Sequence, residues 1–301
     1  MKKYPIDKEL EKYCKNVPFF PAMLVLCDPF LRLMYRFTPI EKGVKHERKN
    51  IETKGGKLRL DIFSPENGKN DLPVLFYLHG GGFGYFASPF HKKLSAIYAK
   101  EANCRVICPD YRLIPKYTYP CAKNDSLEAY RWARKAFPCS AFAVGGDSAG
   151  GALAIYVTNE AEITPDFQML IYPVCDPKQN TASMKKYTDT PFWNAVNNKK
   201  MWKMYCGSYS PDEVSPFETS LPENIPETYI ELAEIDCLHD EGKNYAEKLL
   251  RFGARVFVNE TEKTVHGYDI ALKTGVVKKN VKKRIEALKT AFSKILPVEK
   301  A

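Results

Sequence analysis

A serine flanked by glycines lies between an apolar run and a stretch of small residues. The run covers residues 142–144, and the turn Gly-Asp-Ser-Ala-Gly covers residues 146–150. A nucleophile on a tight strand-to-helix turn needs glycines on both sides, because a Cβ there would clash with the neighbouring backbone. The free N–H groups at the start of the following helix stabilise negative charge that develops on a reacting group. The pattern therefore predicts Ser148 as a nucleophile for acyl transfer.

Three consecutive glycines follow a second apolar run. Residues 74–78 are apolar, and the sequence His-Gly-Gly-Gly-Phe at 79–83 comes directly after them. Ordering consecutive glycines costs conformational entropy, so some function is expected to require backbone without side chains here. A simple flexible loop is the less favoured explanation. An oxyanion hole has this requirement, since its N–H donors approach the substrate oxygen to about 2.7–3.1 Å. The sequence predicts Gly81 and Gly82 as donors, joined by the N–H of Ala149.

Ser148 needs a general base, and the chain has five histidines, at positions 46, 79, 91, 239 and 266. His46 precedes the predicted sheet, and His79 and His91 flank the glycine loop. The loop that contains His239 is expected to supply the acid. His266 follows the last predicted strand, so its loop opens at the carboxyl edge of the sheet. Elimination and chain order predict His266 as the base.

The acid is expected between Ser148 and His266, because this arrangement presents Ser, then Asp or Glu, then His along the chain. Asp236 ends a predicted strand and is the first choice, with Asp240 second. Asp240 and Glu241 instead suit the first turn of the next helix, where carboxylates stabilise the helix dipole. The predicted role of Asp236 is to hold His266 in one tautomer and to stabilise its protonated form.

Two other patterns could suggest chemistry but lack support. Ser183 and Lys186 form a Ser-x-x-Lys match with no accompanying motif. The neighbours Asp236, His239 and Asp240 could suggest a metal site, but the acid loop of a Ser-Asp-His site carries the same residue types. No metal and no cofactor are predicted.

Short β-rich runs alternate with amphipathic stretches, which is typical of βαβ units around a mostly parallel sheet. Strands are predicted at residues 58–63, 74–78, 105–108, 142–144, 168–172, 228–232 and 255–258. Helices are predicted at residues 91–102, 123–136, 149–160, 241–252 and 277–294. Residues 1–48 and 177–225 do not follow the alternation and are rich in aromatic and aliphatic side chains. They are expected to lie over one end of the sheet.

Composition excludes several classes of function. The formal net charge is +9 over 301 residues, but much of the excess is lysine within residues 278–284. There the lysines alternate with apolar residues at helical spacing, which indicates a solvated helix face and not a nucleic-acid site. No run approaches 18 apolar residues, so no membrane span is expected. Acidic residues and prolines near the start disagree with a secretory signal, and nine scattered cysteines suit reduced thiols, so a cytoplasmic location is predicted.

In combination, these motifs resemble those of the bacterial hormone-sensitive-lipase-like esterases, in the branch with Gly-Asp-Ser-Ala-Gly. The resemblance spans about residues 50–295. The matching stretches are residues 79–83, 110–113 (Asp-Tyr-Arg-Leu), 146–151, 236–242 and 266–268. The family often has Ala-Pro-Glu after Asp-Tyr-Arg-Leu, whereas this chain has Ile-Pro-Lys at 114–116, which reverses a charge and puts a local salt bridge in doubt.

The resemblance implies an α/β-hydrolase fold, with a mostly parallel eight-stranded sheet flanked by helices. It implies a catalytic domain over 49–176 and 226–301, and a cap built from 1–48 and the insertion 177–225. The implied activity is hydrolysis of short-to-medium carboxylic esters through an acyl-enzyme on Ser148, with Asp236 and His266 completing the triad. A small-molecule ester is the implied partner. Family members are often dimers, which leaves a homodimer open.

The pocket walls and the bond that is cleaved are less constrained by these patterns. The predicted wall residues are Phe83, Tyr85, Phe86, Trp202 and Tyr205, with packing in the core as the alternative for each. An amidase of the arylformamidase type would use the same triad. A ligand-binding receptor on the same fold, as in the plant gibberellin receptors, tends to lose the catalytic histidine, whereas His266 is present here.

Overall fold

A single mixed sheet of eight strands organises the described part of the chain. The computed structural model describes residues 4–68, 71–138 and 140–295. The strands are Val44–Thr53 (β1), Gly56–Pro65 (β2), Val74–Leu78 (β3), Arg105–Pro109 (β4), Phe142–Asp147 (β5), Phe167–Ile171 (β6), Glu227–Ile235 (β7) and Val256–Val265 (β8). Their order in the sheet is β1-β2-β4-β3-β5-β6-β7-β8. The predicted eight-stranded α/β architecture is confirmed.

Strand β2 runs antiparallel to both of its neighbours, β1 and β4, and all the other pairs in the sheet are parallel. Strands β3, β5 and β6 are buried along their whole length. Continuous apolar runs suit such strands, because helices cover both faces of a parallel sheet. The carboxyl ends of β3, β5, β7 and β8 therefore meet along one edge.

Strand β1 is the one strand of the described sheet that the sequence did not reveal. Half of its residues are charged and most are exposed, so the strand lacks the apolar alternation that predicts strands. It is held by a continuous antiparallel register with β2, from Val44 opposite Pro65 to Thr53 opposite Gly56. Charged side chains on an edge strand discourage pairing with another chain. The predicted end of the N-terminal segment, at residue 48, lies inside this strand.

Helices flank the sheet and fill the connections. They are Pro21–Phe37 (α1), Pro89–Glu101 (α2), Cys121–Ala136 (α3), Ala149–Glu160 (α4), Ala182–Lys186 (α5), Ala195–Cys206 (α6), Pro211–Val214 (α7), His239–Arg251 (α8) and Gly275–Ile295 (α9). The five helices predicted from periodicity correspond to α2, α3, α4, α8 and α9. Among the described residues, no helix has the length and apolar character needed to cross a bilayer.

The two regions that do not follow the alternation of strands and helices, residues 1–48 and 177–225, contact each other. The N–H of Phe192 donates to the carbonyl of Lys15 at 2.8 Å, and the side-chain amide of Asn197 donates to the carbonyl of Val17 at 3.0 Å. The rings of Phe19 and Trp193 meet edge to face with centroids 5.0 Å apart. The N-terminal segment and the insertion between β6 and β7 thus form a continuous surface.

A buried ionic cluster joins α9 to the sheet and to the loop after β8. The Arg284 guanidinium is fully buried and donates to Glu231 on β7 through Nε at 3.1 Å, and to Asp269 through Nη1 at 2.9 Å. Burial disfavours the charge on Arg284, but the carboxylates of Asp269 and Glu231 more than offset this and raise its pKa. The Tyr172 hydroxyl also donates to Asp269, at 2.7 Å. The cluster ties the chain just after His266 to the core.

We predict that Arg284→Met lowers the free energy of unfolding by about 3–5 kcal/mol, because it leaves the carboxylates of Glu231 and Asp269 buried without their cation. Urea denaturation monitored by tryptophan fluorescence gives this value. The matched control is Arg251→Met, since Arg251 is 74% exposed and its nitrogen lies 3.7 Å from Glu247. Equal stability of the two variants would contradict a structural role for the cluster.

Candidate active site

Ser148 lies at the junction between β5 and α4, in a backbone conformation that few residues adopt. Its φ is 54° and its ψ is −120°. The N–H donates to the carbonyl of Ile171 at 2.9 Å, and its own carbonyl accepts from Gly151 at 2.9 Å and from Val174 at 3.0 Å. Surrounding structure must hold such a strained residue in place, and strain of this kind is concentrated at functional sites.

The glycines on both sides of Ser148 allow a close approach between strand and helix. A Cβ on Gly150 would lie 2.0 Å from the carbonyl oxygen of Leu78, at the end of β3. A Cβ on Gly146 would lie 2.3 Å from the carbonyl oxygen of Gly150. Neither separation is possible for real atoms. The bare backbone that the sequence pattern indicated is therefore needed at both positions.

The structure brings together the three residues predicted as a triad. The Nε2 atom of His266 is 2.8 Å from Oγ of Ser148, and Nδ1 of His266 is 2.7 Å from Oδ2 of Asp236. His266 and Ser148 are buried to about the same degree, and Asp236 is fully buried. The acid and the base come from the ends of β7 and β8, which are neighbours in the sheet.

The hydrogen bonds around Asp236 determine which nitrogen of His266 can accept a proton. The carboxylate is an acceptor for Nδ1–H, which leaves Nε2 with a free lone pair directed at the Ser148 hydroxyl. The other carboxylate oxygen, Oδ1, accepts from the backbone N–H of Leu238 at 2.9 Å. The arrangement can therefore remove the proton of Ser148 and stabilise the imidazolium that results.

Asp240, the second choice for the acid, lies elsewhere. It belongs to the first turn of α8, and its Oδ2 accepts from the N–H of Ser183 at 2.7 Å. The neighbouring His239 places Nδ1 at 2.9 Å from Oδ1 of Asp240. Ser183 donates its hydroxyl to the carbonyl of Cys237 at 2.9 Å. Ser183 therefore secures the insertion to the acid loop.

The glycine loop presents bare backbone towards the serine. Gly81 and Gly82 have φ values of 127° and 60°, which glycine tolerates better than other residues. A Cβ on Gly81 would lie 2.6 Å from the carbonyl oxygen of Tyr85. Within the described ranges, no hydrogen bond occupies the N–H groups of Gly81, Gly82 or Ala149. These donors are free to bind a substrate oxygen.

Asp147 connects the serine turn to the glycine loop. Its Oδ1 accepts from the N–H of Gly80 at 3.0 Å and from the Tyr77 hydroxyl at 2.9 Å. The ring of His91 accepts from the N–H of Ser88 at Nδ1 and donates through Nε2 to Oδ2 of Asp147 at 3.1 Å. Burial alone would raise the pKa of Asp147, but its interaction with the ring of His91, together with the hydrogen bond from Tyr77, lowers it overall.

The sequence predictions assigned no role to Asp147 or His91. The available signal was the carboxylate inside the turn itself, next to the nucleophile. Its partners come from two other segments of the chain, so no local pattern identified them.

His79 supports the glycine loop and is not part of the triad. Its Nδ1 donates to the carbonyl of Gly80 at 2.7 Å, and its ring stacks on Tyr111 with centroids 4.5 Å apart. The Tyr111 hydroxyl donates to the carbonyl of His79 at 2.6 Å. Burial lowers the pKa of His79 to about 3. The ring is therefore neutral at ordinary pH.

A mostly apolar cavity of about 380 Å³ opens above Ser148 and His266. Of the five predicted wall residues, Tyr85 lines it and the other four do not. Phe83 stacks on Tyr205 with centroids 3.8 Å apart, and both are fully buried. Trp202 packs beside them, with its centroid 6.0 Å from that of Phe83. These residues join the insertion to the loop and do not contact the cavity.

Phe86 also lies away from the cavity, in a small cluster with Tyr35 of α1, where the two rings meet edge to face at 5.3 Å. The walls are formed mainly by residues that the sequence did not single out. From the insertion and the N-terminal segment they are Val17, Pro18, Met23, Cys27, Phe30, Leu31, Phe192 and Trp193. All lie in the two aromatic-rich regions that were expected to cover the sheet. Composition indicated these regions, but it could not show which face of each helix is turned inward.

The order of the strands and the Ser-His-Asp geometry define an α/β hydrolase. The model of a family described as "alpha/beta hydrolase fold" matches residues 75–270, and the chain belongs to this family.

Similar proteins support the same class. Esterase LipI of Mycobacterium tuberculosis is 31% identical over 283 residues, which covers 87% of this chain and 88% of the relative. An ethyl acetate hydrolase of Pseudomonas putida is 31% identical over 196 residues, 61% of this chain and 62% of the relative. The structure of a bacterial heroin esterase superposes with a TM-score of 0.84 at 27% identity, covering 96% of this chain and 98% of the other. The predicted hormone-sensitive-lipase-like family and its carboxylic ester hydrolase activity are confirmed.

We predict that Gly150→Ala lowers the free energy of unfolding by about 2 kcal/mol or more and reduces ester hydrolysis, because the new methyl group would collide with the backbone of β3. Chemical denaturation and initial rates measure the two effects. The control is Gly275→Ala, whose Cβ would meet a side-chain oxygen of Glu9 at 3.3 Å. A Gly150→Ala variant that behaves like the control would argue against the close approach.

The low pKa of His79 predicts a pH-dependent stability. In the unfolded chain this imidazole takes up a proton below about pH 6.5, whereas in the folded chain it stays neutral down to about pH 3. Its contribution to stability is therefore fully present above pH 6.5 and is lost as the pH falls towards 3. Between pH 7 and pH 5 the loss is about 2 kcal/mol.

His79→Asn tests this because an asparagine amide can still donate to the carbonyl of Gly80 but does not titrate. Urea denaturation at the two pH values gives the comparison. The wild type is expected to lose about 2 kcal/mol more than the variant on acidification. Equal losses would show that His79 is protonated in the folded protein.

Proposed function

We propose that the chain hydrolyses carboxylic esters with short-to-medium acyl chains through an acyl-enzyme on Ser148. The observation that carries this proposal is the pair of hydrogen bonds at His266, 2.8 Å to Ser148 and 2.7 Å to Asp236. These distances are within the range required for proton transfer between a nucleophile and its base. Ser88, the other serine that lines the cavity, bonds to a histidine through its backbone N–H, which donates to Nδ1 of His91 at 2.9 Å.

In the first half of the reaction, Nε2 of His266 takes the proton of Ser148 while Oγ forms a bond to the ester carbonyl carbon. The carbonyl oxygen becomes an oxyanion, which the N–H groups of Gly81, Gly82 and Ala149 stabilise. The C–O bond to the alcohol then breaks, and the alcohol leaves with the proton that His266 carried. The acyl group remains on Ser148.

In the second half, His266 removes a proton from water, and the water oxygen attacks the acyl carbon. The same donors hold the second oxyanion. Ser148 leaves with the proton returned by His266, and the carboxylic acid is released. Asp236 remains ionised throughout, because its role is to orient the ring and balance the positive charge on it.

We propose further that residues 1–48 and 177–225 act as a cap that determines which esters reach Ser148. Met23, Leu31 and Trp193 line the apolar cavity, and all three belong to these regions. A volume of about 380 Å³ suits a short or medium acyl chain with a modest alcohol. The ethyl acetate hydrolase among the similar proteins is named for a small ester, which supports this size range.

A cytoplasmic location remains part of the proposal. The cysteines of the described residues carry free thiols, which suits a reducing compartment. Cys139 lies outside the described residues. The homodimer stays a prediction.

We predict that Ser148→Ala lowers kcat for p-nitrophenyl butyrate by about four orders of magnitude or more, because the acyl-enzyme can no longer form. Initial-rate kinetics on the purified variant measure this. Ser183→Ala serves as control, since Ser183 belongs to the alternative Ser-x-x-Lys pattern and contacts the acid loop, not the substrate. Near-normal hydrolysis by Ser148→Ala would overturn the assignment.

Two further comparisons define the substrate. A series of p-nitrophenyl esters from acetate to palmitate should show a maximum of kcat/KM at short or medium length, given the size of the cavity. p-Nitrophenyl acetate and p-nitroacetanilide carry the same acyl group on an ester and an amide. Faster cleavage of the anilide would favour the amidase alternative.

A further inference from the structure

Helix α1 presents apolar side chains to solvent along its whole length. Val25, Leu26, Phe30, Leu33 and Phe37 are 60%, 72%, 61%, 55% and 73% exposed. We call these five residues the outer face of α1. Four of them, at positions 26, 30, 33 and 37, follow the spacing that places side chains on one side of a helix.

This arrangement differs from that of an ordinary surface helix, which turns polar residues outward. The inner face of α1 is already packed, since Leu24 and Tyr35 are buried against the protein. On α9, by contrast, the exposed positions carry lysines such as Lys278 and Lys282. Contiguous apolar exposure of this kind marks a surface that binds another apolar phase or molecule.

The outer face is continuous with the entrance of the catalytic cavity. Phe30 belongs to the outer face and also lines the cavity. Ile270, from the loop after His266, lines the cavity as well and is 45% exposed. An apolar surface placed against α1 would therefore also meet the cavity mouth.

Exposed basic residues lie on α1 and close in sequence to residues that line the cavity. Arg36 is exposed on α1 itself, and exposed Lys273 follows Ile270 by three positions. Exposed Lys15 precedes the segment that lines the cavity, and its carbonyl accepts from Phe192. The only acid in α1 is Asp28, which binds Arg32 at 2.8 Å. With Arg32 and Arg36 against this single acid, α1 carries an excess of positive charge, which complements an anionic layer.

We propose that the outer face of α1 docks the protein onto an anionic phospholipid surface, with Leu26, Leu33 and Phe37 inserted among the acyl chains. The cavity mouth then faces the lipid. An amphipathic helix that lies in the plane of a bilayer binds through the same combination of apolar burial and attraction between basic residues and lipid headgroups.

A second copy of the chain fits this face less well than lipid. Pairing two outer faces would cover Phe30 at the cavity mouth of both copies. A lipid layer instead supplies negative charge to the basic residues and leaves the mouth open to molecules dissolved in it. The binding does not depend on the catalytic role proposed for Ser148.

The test is co-sedimentation with vesicles of phosphatidylcholine mixed with an equal part of phosphatidylglycerol, and with vesicles of phosphatidylcholine alone. The wild type is expected to bind the mixed vesicles more tightly, and added salt should weaken that binding. The variant L26E/L33E/F37E should bind at least about tenfold more weakly, since it removes three apolar contacts and adds three negative charges. The single variant Leu26→Glu should show a smaller loss in the same direction.

The matched control is L250E/F252E, which replaces two apolar residues of similar exposure at the end of α8, 51% and 67% exposed. It should bind like the wild type. L26E/L33E/F37E should hydrolyse p-nitrophenyl acetate within about twofold of the wild-type rate, which shows that it is folded. Ser148→Ala should bind vesicles fully, so that loss of hydrolysis and loss of docking are distinguishable.

Three outcomes would overturn the proposal. In the first, the wild type binds neither kind of vesicle. In the second, L26E/L33E/F37E and Leu26→Glu both bind the mixed vesicles as tightly as the wild type. Alternatively, sedimentation equilibrium could show a wild-type dimer that L26E/L33E/F37E dissociates while vesicle binding is absent, which would assign the outer face to a second copy of the chain.

Discussion

The contact between bare backbone at Gly150 and the carbonyl of Leu78 is the constraint on which the catalytic end of the molecule depends. It brings the start of α4 against the end of β3 at a distance that no side chain permits. With Gly146 packed on the same helix turn, the chain reverses sharply at Ser148, which takes a positive φ. One local constraint therefore exposes the hydroxyl and brings the glycine loop, which begins after Leu78, next to the N-terminus of α4.

Asp147 turns this proximity into a defined geometry. Its carboxylate accepts from the N–H of Gly80 from within the serine turn, so the serine turn and the glycine loop are joined directly. The other half of the site is held separately. His266 and Asp236 come from the ends of β8 and β7, and Arg284 binds Asp269, three residues after His266. The hydrogen bond between His266 and Ser148 is where the two halves meet.

Much of this could be predicted because the chemistry is encoded locally. The nucleophile needs glycines beside it in sequence, and the buried parallel strands need continuous apolar runs. The histidine that lies beside Ser148 could be predicted by elimination, since five were available and only one followed the last predicted strand. Strand β1 was missed because an edge strand pairs through its backbone and tolerates the charged residues that occupy it.

The pocket walls were difficult to predict for a different reason. Phe83 belongs to the glycine loop and Trp202 to the insertion, and both segments border the cavity. The two rings nevertheless pack against each other and against Tyr205. Which side of a loop or helix faces the cavity depends on contacts between the N-terminal segment and the insertion, and these are far apart in sequence. The partners of Asp147 depend on the same kind of distant contact.

The central claim, that Ser148 is the activated nucleophile, is tested most directly by intact-protein mass spectrometry after treatment with a fluorophosphonate. The account predicts one adduct per chain, located by peptide mapping to Ser148, and a labelling rate that falls sharply when His266 is replaced by alanine. No adduct on the active protein, or an adduct on a different residue, would contradict it.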